Sequence, residues 1–319
     1  MSDARLIAPI LRPTSGGFAE SLLQGLTQAP KEIGCKYFYD AQGSTLFDAI
    51  CALPEYYQTR TEVALLRRHA SEIARLIGPA AEIVEFGAGS LRKVRILLDA
   101  LAQPYGYMPI DISGAYLRGV ASELAEEYLA LPIHPVVADF TQQLSLPAIA
   151  DGARRAGFFP GSTIGNFRTD AAAALLRRMR KMLDGGGLLI GVDLVKDPQI
   201  LHSAYNDAAG VTAAFNKNLL ARANRELDAN FNLEDFAHYA PYNPRAQRIE
   251  MYLMSLKRQT VNLNGQLICF AAGEPIHTED SHKYSIEGFR ELAAEAGFRP
   301  RAVWIDADRL FSIHWLESR

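Results

Sequence analysis

The chain has 319 residues, 49% of them apolar and 22% charged, with a formal net charge of −3. That length buries a core in one large domain or two smaller ones, and the near-neutral balance, with no basic run or basic–aromatic ladder, argues against a nucleic-acid binder. No apolar run approaches the roughly 20 residues of a membrane span, the opening M-S-D-A-R-L-I-A-P-I lacks a signal-peptide core, and Cys35, Cys51 and Cys269, odd in number without C-x-x-C, predict reduced thiols in the cytoplasm.

In chain order, a mostly helical pattern comes first and contains K-Y-F-Y-D and L-P-E-Y-Y-Q-T-R-T-E. A helix from Thr61 to Ile77 leads into residues 81–90, A-E-I-V-E-F-G-A-G-S. Ile83, Val84 and Phe86 predict a short buried strand, Gly87 and Gly89 a sharp turn, and Val94, Leu97, Leu98 and Leu101 the apolar face of a helix. Strand, glycine turn and helix receive an adenosine-containing cofactor in doubly wound α/β domains. A dinucleotide fingerprint wants a third glycine where Arg92 stands, so a cofactor without a pyrophosphate, such as S-adenosylmethionine, fits better than NAD.

The next strand, Y-M-P-I-D-I, places Asp111 at its end, 22 residues after Gly89, where a carboxylate accepts from both ribose hydroxyls. A third strand, I-H-P-V-V-A-D-F-T, ends in Asp139-Phe140, an acid for an adenine amine and a ring for its face. A fourth segment, G-F-F-P-G-S-T-I-G-N-F, supplies Asn166. A helix over 171–183 and the stop Gly185-Gly186-Gly187 precede a fifth strand. Each piece alone reads equally well as an ordinary βα turn or a solvated strand-end acid, whereas five in order favour the cofactor.

Beyond the fifth strand the pattern predicts a helix from Ala204 to Leu227 and another from Asn232 to Tyr239. Two extended stretches follow, R-I-E-M-Y-L-M-S-L-K-R-Q-T-V and G-Q-L-I-C-F-A-A-G-E, joined by Asn264-Gly265, a strong hairpin signal. Ser285 caps a helix that stops at Gly297, and A-V-W-I-D-A-D-R-L-F-S-I-H-W-L closes as a hairpin. His277 and His282 face opposite sides of an extended segment, so no metal site is expected. The N-terminal segment and the insertion are expected to pack together as a lid over the strand ends.

The phrases K-Y-F-Y-D, L-P-E-Y-Y-x-T-R-T-E, E-F-G-A-G-S-x-x-K, P-I-D-I-S, A-D-F, G-S-T-I-G-N, A-Y-N-D-A-A-G-V-T-A-A-F-N, R-I-E-M and F-A-A-G-E-x-I-x-T-E-D-S-x-K-Y span nearly the whole chain. In that order they resemble the histidine-specific Nα-methyltransferases of ergothioneine biosynthesis. The resemblance implies an α/β fold: a Rossmann-like class I methyltransferase domain over 61–196 and 286–319, and an α+β substrate-binding domain over 1–60 and 197–285. It implies three methyl transfers from S-adenosylmethionine to the α-amine of L-histidine, giving hercynine, by a monomer. The other reading it leaves is N-methylation of another small amine or aromatic amino acid. On the cofactor side it assigns Gly87, Lys93 toward the methionine carboxylate, Asp111, Asp139 and Phe140. On the substrate side it assigns Asn166, Tyr205 and Tyr56 to the amino-acid end, Tyr39 to the methylated amine, and Glu279, Ser281 and Met251 to the imidazole. Intact motifs at both half-sites disfavour a non-catalytic scaffold.

Overall fold

The computed structural model describes residues 10–11, 17–89, 91–149 and 152–318; Ser90 of the glycine turn lies outside them. The chain forms two compact units, Met1–Thr14 with Gln58–Val195 and Lys283–Arg319, and Ser15–Tyr57 with Lys196–His282.

The first unit is built from β1 (Ile10–Leu11), α1 (Tyr57–Ile77), β2 (Ala81–Phe86), α2 (Leu91–Ala100), β3 (Gly106–Asp111), α3 (Gly114–Glu127), β4 (Val136–Val137), β5 (Arg154–Phe159), α4 (Thr169–Met182), β6 (Gly187–Asp193), α5 (Ile286–Glu295), β7 (Phe298–Ile305) and β8 (Phe311–Ser318). The strands form one sheet in the order β1-β4-β3-β2-β5-β6-β8-β7. Neighbours pair parallel except β8, which runs antiparallel to β6 and β7. Every residue of β2 is buried, because helices cover both faces of the sheet. Val84 and Phe86 pack with Leu175, Leu176 and Phe289 of α4 and α5. Ile83 belongs to the opposite cluster with Leu66, Ile73, Val94, Leu97 and Leu98 of α1 and α2. This is why the segment reads as a continuous apolar run rather than an alternating one. Strand order reverses between β2 and β5, which opens the crevice at the carboxyl ends where doubly wound sheets bind ligands.

The second unit carries a five-stranded sheet. Its long strands, Arg248–Ser255 and Pro275–His282, pair antiparallel, flanked by Lys31–Glu32 and Phe236–Tyr239. Residues Gln259–Leu263 and Gln266–Phe270 make a separate hairpin around Asn264 and Gly265, both with positive φ. Helices Ala41–Ala52 and Val211–Glu226 pack against one another.

Three expectations about elements are corrected. The helix expected from Ala204 to Leu227 is two helices, Pro198–Tyr205 and Val211–Glu226. The turn between them is enforced by Gly210 at φ +72° and by Asp207, whose carboxylate accepts from the N–H groups of Val211 and Thr212 at 2.8 Å. The helix expected from Asn232 stops after one 3-10 turn, Leu233–Asp235. Asn232 does cap it, but Phe236–Tyr239 then pairs with Arg248–Ser255, so a ladder outweighs local helical preference. The extended stretch beginning at Arg248 is broken after Ser255, its two halves entering different sheets.

Candidate active site

In the first unit the cofactor-side residues lie in a row along the carboxyl ends of β2, β3 and β4. Gly87 follows β2 with φ +75°, a left-handed conformation that glycine adopts without strain. Its N–H donates to Ile110 O at 2.8 Å, and a Cβ there would stand 3.5 Å from the Phe140 ring. Backbone and ring therefore approach closely beside the turn. Asp111 closes β3 and accepts from Ser113 N–H at 2.7 Å. Burial outweighs that bond and pushes its carboxyl up to about 6. Asp139 follows β4 and holds its own turn, accepting from Thr141 N–H at 2.9 Å and Thr141 Oγ1 at 2.5 Å. The half-buried Phe140 ring is seated edge-on against Phe159, 5.6 Å between centroids. A left-handed glycine, a strand-end carboxylate and a seated aromatic ring thus stand at the carboxyl ends of neighbouring strands. Lys93, in the first turns of α2, is bound to Glu62 at 2.6 Å. Asn166 ends a 3-10 turn, Thr163–Asn166, just beyond β5.

In the second unit lie the other residues assigned to the substrate, Tyr39, Tyr56, Tyr205, Met251, Glu279 and Ser281, while Asn166 belongs to the first. Tyr205 Oη and Ser281 Oγ share a hydrogen bond of 2.7 Å. Met251 and Glu279 face one another across the central strand pair, both buried. Tyr39 and Tyr56 border the same ring, Phe47, at 5.7 and 6.2 Å. Burial holds the Tyr56 phenol well above its ordinary range, and Tyr205, Cys51, Tyr39 and Glu279 push the same way. Tyr56 therefore keeps its proton at neutral pH. Cys35, beside this cluster and half-buried, is pushed up to about 12 by burial and by Glu279, so its thiol stays protonated at neutral pH.

Several supporting groups escaped sequence reasoning. Asp40, in K-Y-F-Y-D, caps Ala41–Ala52 through Gly43 N–H at 2.7 Å, accepts from Asn218 Nδ2 at 2.8 Å, and pairs with Arg225. It thereby fixes the residue next to Tyr39. His238 Nε2–H donates to the Tyr205 carbonyl at 2.8 Å, which leaves Nδ1 to accept from Asn216 Nδ2 at 2.9 Å. Burial lowers its basicity, so the ring remains the neutral tautomer this network needs. Beneath the glycine turn, Glu85 accepts from Tyr107 Oη at 2.5 Å, and burial pushes its carboxyl up to about 8. Asp40 and Glu85 stand inside the quoted phrases and His238 outside them, and a polar group bonded inward is indistinguishable in sequence from one facing water. Among the described residues no group of three or more His, Cys, Asp or Glu side chains is arranged to hold a metal ion.

Residues 18–318 match the family profile described as histidine-specific methyltransferase, SAM-dependent. The histidine N-alpha-methyltransferase of Mycolicibacterium smegmatis is 44% identical over 288 residues, 88% of this chain and 89% of that protein. Its namesake from Mycobacterium tuberculosis is 40% identical over the same shares. Ergothioneine biosynthesis protein 1 of Neurospora crassa is 30% identical over 286 residues, 86% of this chain and 32% of that longer protein.

Proposed function

The chain belongs to the histidine-specific, S-adenosylmethionine-dependent methyltransferase family, and from that premise we propose that it transfers three methyl groups to the α-amine of L-histidine, giving hercynine. The observation that carries this reading is a set in one unit of the half-buried Tyr39 with the buried Tyr56, Tyr205, Glu279 and Ser281. An amine that gains methyl groups loses hydrogen-bond donors and ends as a quaternary cation. Phenol oxygens bond an early donor and ring faces tolerate a late cation, so a site rich in tyrosine suits every stage. A carboxylate two residues along the strand from a serine that bonds the Tyr205 hydroxyl suits an imidazole N–H.

S-adenosylmethionine supplies an electrophilic methyl on a sulfonium; the chain supplies alignment, desolvation and a path for one proton per transfer. Gly87, Asp111, Asp139 and Phe140 would hold the adenosine, and Lys93 the methionine carboxylate. Asn166, Tyr205 and Tyr56 would hold the amino-acid end, and Tyr39 would border the amine. No covalent nucleophile is needed. The α-amine of a peptide terminus has a pKa of about 8, so freeing the lone pair of an amine of this type costs little near neutral pH, and the proton passes to water. Mass spectrometry of L-histidine incubated with the protein and S-adenosylmethionine is expected to show gains of one, two and three methyl groups. NMR is expected to place them all on the α-nitrogen; a methyl on a ring nitrogen would overturn the proposed orientation.

A further inference from the structure

Glu62 lies on the inner face of α1 and is 1% exposed. Three contacts converge on its carboxylate. Lys93 Nζ donates to Oε2 at 2.6 Å, and Gly161 N–H lies 3.0 and 2.9 Å from the two oxygens. A Cβ added to Gly161 would stand 3.5 Å from Lys93 Nζ, so the three groups form one compact knot. The β6 backbone closes it from another side, since a Cβ on Gly191 would fall 2.1 Å from Glu62 Oε1. The carboxylate thus ties α1 to α2, to the turn after β5 and to β6.

That turn carries strain at Ser162, a non-glycine residue in the left-handed region. Gly161 and Ser162 are both left-handed, at φ +80° and +57°. It is held on one side by Glu62 and on the other by Asp193 N–H, which donates to Ser162 Oγ at 2.9 Å, and it leads directly into Asn166. A well-packed apolar residue in place of a buried ion pair commonly stabilises as much or more. What such a pair contributes here is a defined position for the ammonium and the turn. An ammonium has three donors, and Glu62 takes one of Lys93's, which fixes the direction in which the charge is presented.

We propose that Glu62 is a positioning residue for the methionine end of the cofactor, holding the Lys93 ammonium and the Gly161 turn in the arrangement that receives an amino-acid carboxylate. The inference rests on the assignment of Lys93 to that carboxylate. Two ligands separate this role from a structural one: S-adenosylhomocysteine, and 5′-methylthioadenosine, which shares the adenosine but lacks the amino-acid end. By calorimetry, Glu62→Gln is expected to weaken S-adenosylhomocysteine by about tenfold or more while 5′-methylthioadenosine stays within about twofold. Lys93→Met is expected to discriminate in the same way, and Glu62→Gln combined with it to be no worse than Lys93→Met alone. Glu62→Asp, which keeps the charge, is expected to fall between wild type and Glu62→Gln.

Equal losses for both ligands in Glu62→Gln would make the residue structural and overturn the inference. Should that variant not fold, equal losses in Glu62→Asp would do the same. Discrimination by Lys93→Met without any by the Glu62 variants would sink the inference and leave the Lys93 assignment standing. Equal losses in Lys93→Met would remove that assignment and the inference together.

Discussion

At the scale of single residues, selectivity for the proposed substrate turns on Glu279. Glu279 reads in sequence as one acid in a polar strand, yet it is buried opposite Met251. If it accepts the imidazole N–H, Glu279→Ala leaves that nitrogen unpaired in a partly dry pocket. Sites built around one polar group discriminate by roughly 10⁴-fold, so kcat/KM for histidine is expected to fall steeply. The truncation also removes a buried charge, and tryptophan should become a relatively better substrate. An unchanged histidine-to-tryptophan ratio of kcat/KM would make the residue structural. Asp111 gives a pH prediction. Its carboxyl is pushed up to about 6 by burial, and ribose hydroxyls need the ionised form as acceptor. S-adenosylhomocysteine is therefore expected to bind more weakly below pH 6, approaching tenfold per pH unit, and to level off above it. Glu85 is protonated throughout that window, with its carboxyl pushed up to about 8. Calorimetry between pH 5 and 7.5 checks this, and Asp111→Asn should abolish the slope.

At the scale of elements, what was legible followed local chemistry. The glycine turn after β2, the Ser285 cap and the Asn264-Gly265 hairpin all stand where their residue types put them. What failed was set by distant partners. Phe236–Tyr239 carries a cap signal on its N-terminal side and becomes a strand only because Arg248–Ser255 lies beside it. Lys31–Glu32 is too short to announce itself and exists as an addition to a longer strand; Val136–Val137 stands within the expected third strand, shortened to two residues. The segment bearing Tyr39 is a similar case, ordered by Asp40 and its bonds to Val211–Glu226. Asp40→Ala removes a helix cap and the acceptor for Asn218, which should cost about 1–2 kcal/mol in a denaturant titration. Because the lost bonds anchor the residue beside Tyr39, kcat is expected to fall more than the histidine KM rises. A variant with lower stability and unaltered kinetics would separate Asp40 from the site.

At the scale of the whole molecule, neither the strand order nor the polar groups inside the sheet can be read from composition. Strand β8 contains His314, fully buried between β6 and β7, with Nε2 bonded to Ser312 Oγ at 2.9 Å and the ring 4.7 Å from Phe289. In sequence, F-S-I-H-W-L offers no sign that this histidine is unable to ionise. Burial, helped slightly by Arg290, pushes it down to about 3. The folded pKa thus lies below the unfolded value of about 6.5. Well above pH 6.5 the residue is neutral in both states and contributes no pH dependence to folding stability. As pH falls from 6.5 toward 3, the unfolded chain takes up a proton that the native state refuses. Stability then drops by up to about 1.4 kcal/mol per pH unit. Between pH 6.5 and 5 this one residue should cost the protein about 2 kcal/mol. Denaturant titrations of wild type and His314→Leu at pH 7 and 5 test the point. The variant starts lower, because a shape matched to imidazole is lost and Ser312 loses a partner, but its decline between the two pH values should be smaller by about that amount. Parallel declines would mean that His314 titrates normally in the fold and that the acid sensitivity arises elsewhere.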